Sequence, residues 1–557
     1  MREFDWKTTV VTTSKTKVSA IKKQLGLGRV AAEILCRRGI SSPSEALKHL
    51  QGDYQDLYDP YLLNDLSKAV ERILRAKDRQ ETVFIHGDYD CDGITATALV
   101  KMMLENIGLT NSIAFVPTRE LGYGLSKAAV VQAAQAGAGL VITCDCGSNE
   151  TEAHAEAKSR GLDVIVLDHH SFSKRPDVYA FVNPGMGGYP FKELCGAGVA
   201  FKLVQAMDKH IPTHPRYYID LAAIATIADS VPILDENRII VKEGLKLLQS
   251  TQNIGLSALL RASSLVGRKL TTETIGFIIA PKINAPGRIS DPNLALELLL
   301  TLDPARAEEL AKELVRINRR RMDINTQIRD QAVKMIEDQF QDDCFLVLQD
   351  DTWNKGVIGI VASTVVELYH KPCAIISNGY GSVRTVPEFH LMEPLALCSH
   401  LFERWGGHPM AAGLKIKTEN IAAFRKRINE VAGEVLPKKP RPSFKFDAML
   451  KLRDVNDGLV GDLEKLEPFG QGNPTPLFVM EDVHVVRDRV TNDGQHLQLS
   501  LRQDKNLVSA VGFWMAGHSE QIQDPAQKFD LLFFVERSKY DSPQIMIRDI
   551  KEVNLVW

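Results

Sequence analysis

Short apolar runs alternate with amphipathic stretches along this chain, and the manner of alternation divides it into regions. From about residue 80 to 170, Thr82–Ile85, Leu140–Thr143 and Asp163–Leu167 read as strands. Between them, Thr95–Asn106 and Glu150–Arg160 carry helical patterning. Strands separated by helices predict βαβ units and a parallel sheet. Leu221–Ile227 reads as a short buried helix. A second α/β unit opens at Phe345–Leu348, continues with a helix over Val357–Leu368 and a strand over Cys373–Ile376, and closes on the glycine-rich segment Gly406–Gly413. From 443 onward the runs Val483–Val486, Leu497–Leu501, Leu507–Phe513 and Asp530–Val535 are separated by polar turns, which predicts a small barrel or sandwich.

The remaining stretches are helical or connecting. Residues 1–50 look helical, with Leu25–Arg38 capped by Gly39 and Ser41-Ser-Pro43 opening the next helix. Residues 241–340 are mostly helical, and the charged stretch Ala305–Gln339 predicts one long helix, a spacer whose charges are solvated. Lys438-Lys-Pro-Arg-Pro442 reads as a stiff, basic linker. At 557 residues the chain is too long for one core. The expected division is a helical segment over 1–50, an α/β domain over 51–240, a helical connector over 241–340, a smaller α/β domain over 341–437 and a β domain over 443–557.

Composition narrows the class only slightly. The chain is 44% hydrophobic and 25% charged, as soluble globular proteins are. No run reaches the roughly 18 apolar residues of a membrane span, and the polar N-terminus lacks a signal-peptide core. The eight cysteines show neither disulfide-framework spacing nor C-x-x-C pairs, so a reduced cytoplasm is the expected location. A net charge of −3 gives no global signal for nucleic acid. An acidic metal site would mask a local basic groove.

The chemistry lies in four clusters, each just after an apolar element: His86-Gly-Asp88-Tyr-Asp90-Cys-Asp92-Gly93, Cys144-Asp145-Cys-Gly147, Asp168-His169-His170 and Ala228-Asp229. Ligands of open α/β sheets bind outside the carboxyl ends of the strands, so these groups should meet at one rim. A lone D-x-D is commonly a turn or a cap. Four clusters placed alike are a different matter, because so many carboxylates together need cations to offset their repulsion. Alternate residues of an extended loop share a face, so Asp90 and Asp92 can both reach an ion, with Asp88 in reserve. Mixed carboxylate and imidazole ligation suits Mn²⁺, then Mg²⁺. The expected ligands are His86, Asp90, Asp92, Asp145, His169 and Asp229, holding two ions. His170 is left free to act on substrate, and Asp145 and His170 are the candidate catalytic residues.

With these residues in view, the chain resembles the RecJ branch of the DHH phosphoesterases, single-strand-specific DNA exonucleases, from about 80 to 550. Asp168-His169-His170 is similar to the family's namesake triplet. The His86–Asp92 cluster is similar to its first motif, Asp145 to its second and Asp229 to its fourth. Gly407-His408 with Ala411-Ala-Gly413 resembles the signature of the companion DHHA1 domain. Glu467-Pro-Phe-Gly-Gln-Gly-Asn-Pro474 resembles a segment particular to the RecJ branch, since smaller DHH phosphodiesterases end before it. Two departures bear on pocket shape: Cys146 follows Asp145 where asparagine is more usual, and Pro176 comes late after the triplet.

The resemblance implies a DHH parallel-sheet domain, a helical connector, a DHHA1 α/β domain and an OB-like domain, with the metal site in the cleft between the two α/β domains. It implies an Asp145 that bridges the ions and hydrolysis of single-stranded DNA, 5′ to 3′, to mononucleotides, in repair and recombination. It further implies that Ser382, Arg384 and Arg119 hold a terminal 5′-phosphate, that Arg288 contacts the strand near the scissile bond, and that His408 meets the backbone. Tyr123 is placed to stack on a base. Of the C-terminal aromatics Phe469, Phe478, Phe513, Trp514 and Phe529, most should be core and one or two exposed platforms. Candidate partners besides the strand are a helicase and a single-strand-binding protein, and a monomer is expected. The rival readings are a DHH phosphodiesterase or pyrophosphatase for small substrates, and a catalytically silent strand-binding scaffold.

Overall fold

A computed structural model describes residues 5–8, 13–436, 443–519, 522, 527–538 and 540–553. The Lys438–Pro442 linker reading lies outside them. The chain divides into two units, one of residues 56–440 and one of residues 1–55 together with 441–557.

In the larger unit the first sheet comprises β1 (Thr82–His86), β2 (Ser112–Phe115), β3 (Ala138–Cys144), β4 (Asp163–Leu167) and β5 (Ala180–Val182). All neighbours are parallel and the order is β2-β1-β3-β4-β5. Parallel sheets are covered on both faces, which is why these strands are nearly continuous apolar runs. On one face Phe84, Val141, Val164 and Val166 pack with Val130 and Ala153 of the flanking helices. Chain direction switches between β1 and β3, and a doubly wound sheet of this order binds ligands at that switch point. The 86–93 cluster and Asp145 leave β1 and β3 there. Helix α1 (Cys91–Asn106) follows the first cluster, and α2 (Gly196–Asp208) and α3 (Ile219–Ala228) pack against it.

Shorter helices lead to α4 (Pro304–Met335), which continues as a π-helical turn over Ile336–Phe340. Asp303 caps it and Pro304 occupies its first turn. The long helix read over Ala305–Gln339 is present, and Ala307, Leu310, Leu314, Ile317, Ile328 and Ala332 are buried along one face, so α4 packs on that side. The second sheet contains β6 (Leu346–Gln349), β7 (Cys373–Ser377), β8 (Tyr380–Arg384), β9 (Phe402–His408) and β10 (Ala411–Ile416), with α5 (Ile358–Tyr369) after β6. Its order is β9-β10-β8-β7-β6, and only β6 and β7 run parallel. The glycine-rich segment is thus the β9–β10 hairpin. A side chain on Gly407 would meet Ala412 Cα at 2.5 Å, so the close strand pairing requires glycine there.

In the smaller unit β11 (Phe478–Val490), β12 (Leu497–Gln503), β13 (Asn506–Gly512), β14 (Lys528–Arg537) and β15 (Pro543–Glu552) follow the order β11-β12-β13-β15-β14. Pairing of β11 with β14 closes the ring, giving an OB-like five-stranded barrel. The helix read over Leu25–Arg38 starts later, running over Arg29–Arg37, and a separate helix over Lys15–Leu25 precedes it and ends where Gly26 turns the backbone at φ 63°. Val18, Ile21, Ile34 and Leu35 of these helices share a core with Leu463, Phe478, Val483 and Phe533. Among the described residues no helix is long and apolar enough to cross a membrane. All eight cysteines are free and buried.

Candidate metal centre and nucleic-acid interface

The loop after β1 is folded by its own carboxylates. Asp90 caps α1, its Oδ1 accepting the Asp92 and Gly93 amides at 3.0 Å each. A Cβ on Gly93 would lie 2.5 Å from the Asp88 nitrogen, so only glycine lets the loop cross the helix start. Asp92 is 1% exposed and accepts the amides of Gly196 (2.6 Å) and Ala197 (2.7 Å) at the start of α2, whose dipole favours its negative charge. Asp145 follows β3 at φ 62°, a left-handed position that Asp tolerates better than most residues. Strain of this kind collects at functional sites.

These elements bring most of the expected ligands together. Possible ligand atoms of Asp88, Asp90 and Asp145 lie within 4.8 Å of one another, as do those of Asp92, His169 and Asp229, and those of Asp145, His169 and His170. His169 Nε2 stands 3.2 Å from Asp145 Oδ1, 3.6 Å from Asp229 Oδ2 and 3.8 Å from Asp92 Oδ2. Asp145 and His169 therefore sit between two carboxylate groups. Asp88, a reserve on sequence grounds, is a full member of one. His86 stands apart from all three: its Nε2 is 3.2 Å from the Gly124 carbonyl and its Nδ1 is buried without a partner. Burial holds the His86 ring near a pKa of about 4, so it is neutral.

Electrostatics shows what the centre lacks. Burial, then the neighbouring Asp92, Asp90 and Asp88 charges, pushes Asp145 well above the usual carboxylate range. Burial and the Asp92 charge raise Asp90, and burial with the Asp92 and Asp90 charges raises Asp229 to about 8. Asp145 Oδ1, Asp88 Oδ1 and His169 Nε2 are buried with no hydrogen-bond partner. Buried acceptors left unpaired among like charges are what cations satisfy, and oxygen ligands with imidazole suit Mn²⁺ or Mg²⁺. The residues fit a divalent centre. Thiolate ligation does not compete, because burial raises the thiols of Cys144 and Cys146.

Asp168, which sequence reasoning left without a role, is fully occupied. Its Oδ1 accepts the His169 amide (2.7 Å), the His170 amide (3.1 Å) and His170 Nδ1 (2.8 Å), and its Oδ2 accepts the Ser148 amide (3.0 Å). It positions both histidines. Burial works against the His170 cation, but the Asp168 hydrogen bond and charge raise its pKa to about 9. The same contacts overcome burial at Asp168 and lower it to about 2. Tyr123, 49% exposed, places its hydroxyl 3.2 Å from His170 Nδ1. Tyr123, His170 and Asn149 line a cavity of ≈ 360 Å³, which the exposed His408 of β9 also reaches.

The expected phosphate residues also approach one another. Arg119 Nε donates to the Gly287 carbonyl (3.1 Å) and lies 4.3 Å over the Tyr89 ring. Arg288 donates to the Gly356 carbonyl (3.2 Å). A Cβ on Gly356 would lie 1.9 Å from the Arg288 carbonyl, and one on Gly359 would lie 2.9 Å from Ser382 Oγ and 3.3 Å from an Arg384 nitrogen. Glycines thus draw the start of α5 onto Arg288, Ser382 and Arg384. In the barrel, Phe478 and Phe529 are buried and Phe469 packs on the core, whereas Phe513 and Trp514 are 54% and 74% exposed with His496 between them.

Comparison with known proteins places this geometry. Family models match the DHH family N-terminal domain over residues 82–226, the DHHA1 domain over 342–434 and the RecJ OB domain over 446–549. The chain is 34% identical over 549 residues to the single-stranded-DNA-specific exonuclease RecJ of Bacillus subtilis, covering 96% of this chain and 69% of that one. A crystal structure of RecJ from Thermus thermophilus in complex with Mn²⁺ matches with a TM-score of 0.85 at 28% identity, covering 99% of this chain and 80% of that one. Another from that organism, in complex with Mg²⁺, matches with a TM-score of 0.81 at 27% identity, covering 99% and 79%.

Proposed function

The chain belongs to the RecJ family of single-stranded-DNA-specific exonucleases, and from that premise we propose that it hydrolyses phosphodiester bonds of single-stranded DNA at a divalent-metal centre. The observation that carries this is the set of buried, unpartnered ligand atoms on Asp145, Asp88 and His169, next to half-buried arginines. Asp88, Asp90 and Asp145 would hold one ion and Asp92, His169 and Asp229 the other, with Asp145 shared. His86 supports the loop from behind. Bound there, the ions acidify a water for attack on phosphorus and offset the charge that develops on the phosphate.

The chain's own groups orient and neutralise. Asp168 holds His170 as a cation, which offers a proton donor to a phosphate oxygen. Ser382, Arg384 and Arg119 take the terminal 5′-phosphate, and Arg288 takes the phosphate at the bond to be cut. Tyr123 stacks on the first base, and His408 contacts the backbone from β9. Capture of a 5′ end next to the metal centre gives 5′-to-3′ progress and mononucleotide products. The barrel offers Phe513 and Trp514 as stacking platforms for bases of the strand. The protein acts as a cytoplasmic monomer in repair and recombination, beside a helicase and a single-strand-binding protein.

The test is a substrate panel with Mn²⁺: single-stranded DNA labelled at the 5′ or the 3′ end, duplex DNA, a dinucleotide and pyrophosphate. Release of labelled mononucleotide from the 5′-labelled single strand at the first cut is the expected result. Turnover of only the dinucleotide or pyrophosphate would replace the reading with a small-substrate phosphodiesterase. Strand binding without any cleavage would replace it with a silent scaffold.

A further inference from the structure

Four arginines gather at the strand-binding surface, and one of them comes from the long helix. Burial, then the charges of Arg119 and Arg321, lowers the pKa of Arg288 to about 10, with Asp90 acting against them and Arg384 adding to them. Arg321 lies on α4, which packs against the short helix Pro286–Ile289 that carries Arg288. The hydrogen bonds of all four go to uncharged oxygens: Arg119 to Gly287, Arg288 to Gly356, Arg384 to Val383 and Ser382, and Arg321 to Asn318 Oδ1 at 2.6 Å. Among the described residues none of the four pairs with a carboxylate. Within α4, Arg306, Arg316 and Arg329 each pair with an acid and Arg319 and Arg320 are exposed, whereas Arg321 is half-buried. One turn beyond Arg321, the amide oxygen of Asn325 is buried without a partner. Arg288, Arg321 and Arg384 are half-buried and Arg119 is exposed; like charges so placed, with no carboxylate paired to them, raise the free energy of the folded protein unless an anion joins them.

We propose that Arg321 is a strand-binding residue: beside Arg288, it grips the backbone phosphodiester of single-stranded DNA next to the one that Arg288 takes, and not the terminal phosphate. The proposal rests on the exonuclease reading and deepens it. It makes α4 part of the binding surface, and Asn318 the residue that aims the guanidinium. Asn325 faces the same stripe and accepts a hydrogen bond from the bound partner or its water.

The experiment uses the full chain in chelator, so that nothing is cut, and a 5′-phosphorylated single-stranded oligonucleotide. Arg321→Ala should weaken binding roughly tenfold or more, the scale of a charge-assisted contact. It should also reduce the slope of log affinity against log salt by about 0.7, one phosphate's worth for a single strand. Arg321→Lys should keep the slope and recover part of the affinity, because it keeps the charge and loses the fork. A methylphosphonate scan then places the contact. Neutralising one particular internal phosphate should weaken the wild type and leave Arg321→Ala unaffected, while the other positions weaken both alike. Arg288→Ala serves as the comparison for a neighbouring position. An Arg321→Ala protein with the wild-type salt slope, or one equally sensitive at every position, overturns the proposal. So does a loss of binding that merely follows a lowered melting temperature. If the wild type itself fails to bind the strand, the exonuclease reading fails; if the wild type binds and only Arg321→Ala is unchanged, this inference alone fails.

Discussion

Asp229 shows how the metal centre governs the metal-free protein. Burial and the charges of Asp92 and Asp90 raise its pKa from 3.8 to about 8. A group raised on folding contributes stability that is whole below its unfolded pKa and is lost as the pH rises through its folded one. For Asp229 that loss runs from about pH 4 to about pH 8. His170, raised by Asp168 against its burial from 6.5 to about 9, loses its contribution between those values, overlapping the Asp229 window and running past it. Asp168, lowered to about 2, matters only in acid. In chelator the protein should therefore melt at falling temperature from about pH 6 to about pH 9. Asp229→Asn should flatten that fall, and Mn²⁺ should restore the melting temperature more at the alkaline end. Melting curves in chelator and in Mn²⁺ measure this, and a flat wild-type profile in chelator would contradict it. The clustering of Asp90, Asp92, Asp145, His169 and Asp229 was legible because each follows an apolar element and strand ends converge, whereas His86, also at a strand end, turns to the Gly124 carbonyl instead. The role of Asp168 was not, since three of its bonds go to its own neighbours and only the folded loop brings the Ser148 amide to it. Arg321 was equally hidden, one of three consecutive arginines in a charged helix and the one of those three that is half-buried.

Arg38 carries the element-scale lesson. The segment Glu467–Pro474, most specific to the RecJ branch, lies in the smaller unit and not at the metal centre. Arg38, just after the helix Arg29–Arg37, donates to Asn473 Oδ1 and to the Pro474 carbonyl (2.7 Å), and Asn473 Nδ2 in turn donates to the carbonyls of Leu466 (3.0 Å) and Pro468 (2.8 Å). The segment fastens the N-terminal helices to the barrel. Arg38→Ala should destabilise that unit by about 1.5–3 kcal/mol, the worth of hydrogen bonds to a charged group. A denaturant melt followed through the barrel's Trp514 checks it, while initial cutting of short oligonucleotides should hardly change. An unaltered melt would mean the contact is incidental. Sequence periodicity found the helix that ends before Gly39 but started it four residues early, at Leu25, because the turn at Gly26 shows only in backbone conformation. The β9–β10 hairpin was obscured for the opposite reason, its glycines giving no alternating pattern.

At the scale of the molecule, the shared core of residues 1–55 and 441–557 decides how the chain can be cut. Val18, Ile21, Ile34 and Leu35 pack on the barrel, so deleting 443–557 alone would strip an apolar face from the N-terminal helices. That truncation should aggregate, whereas residues 56–440 alone should stay soluble and cut short oligonucleotides at high concentration. Its affinity for long strands should fall, since each stacked base contributes about 1–3 kcal/mol. Equal loss on short and long strands would mean that the barrel serves stability and not grip. The pairing of chain ends was invisible in sequence, where nothing marks two segments so far apart as neighbours. The central claim, that Asp145 joins two ion sites into one hydrolytic centre, is tested most directly with Asp145→Asn. Asparagine tolerates the φ of 62° at this position and removes only the charge. With saturating Mn²⁺ and labelled single-stranded DNA, cleavage should fall more than about 100-fold, beyond what loss of a supporting contact around a metal costs. In chelator the variant should melt no lower than the wild type. Cleavage within a few-fold of wild type in a folded Asp145→Asn protein would contradict the account.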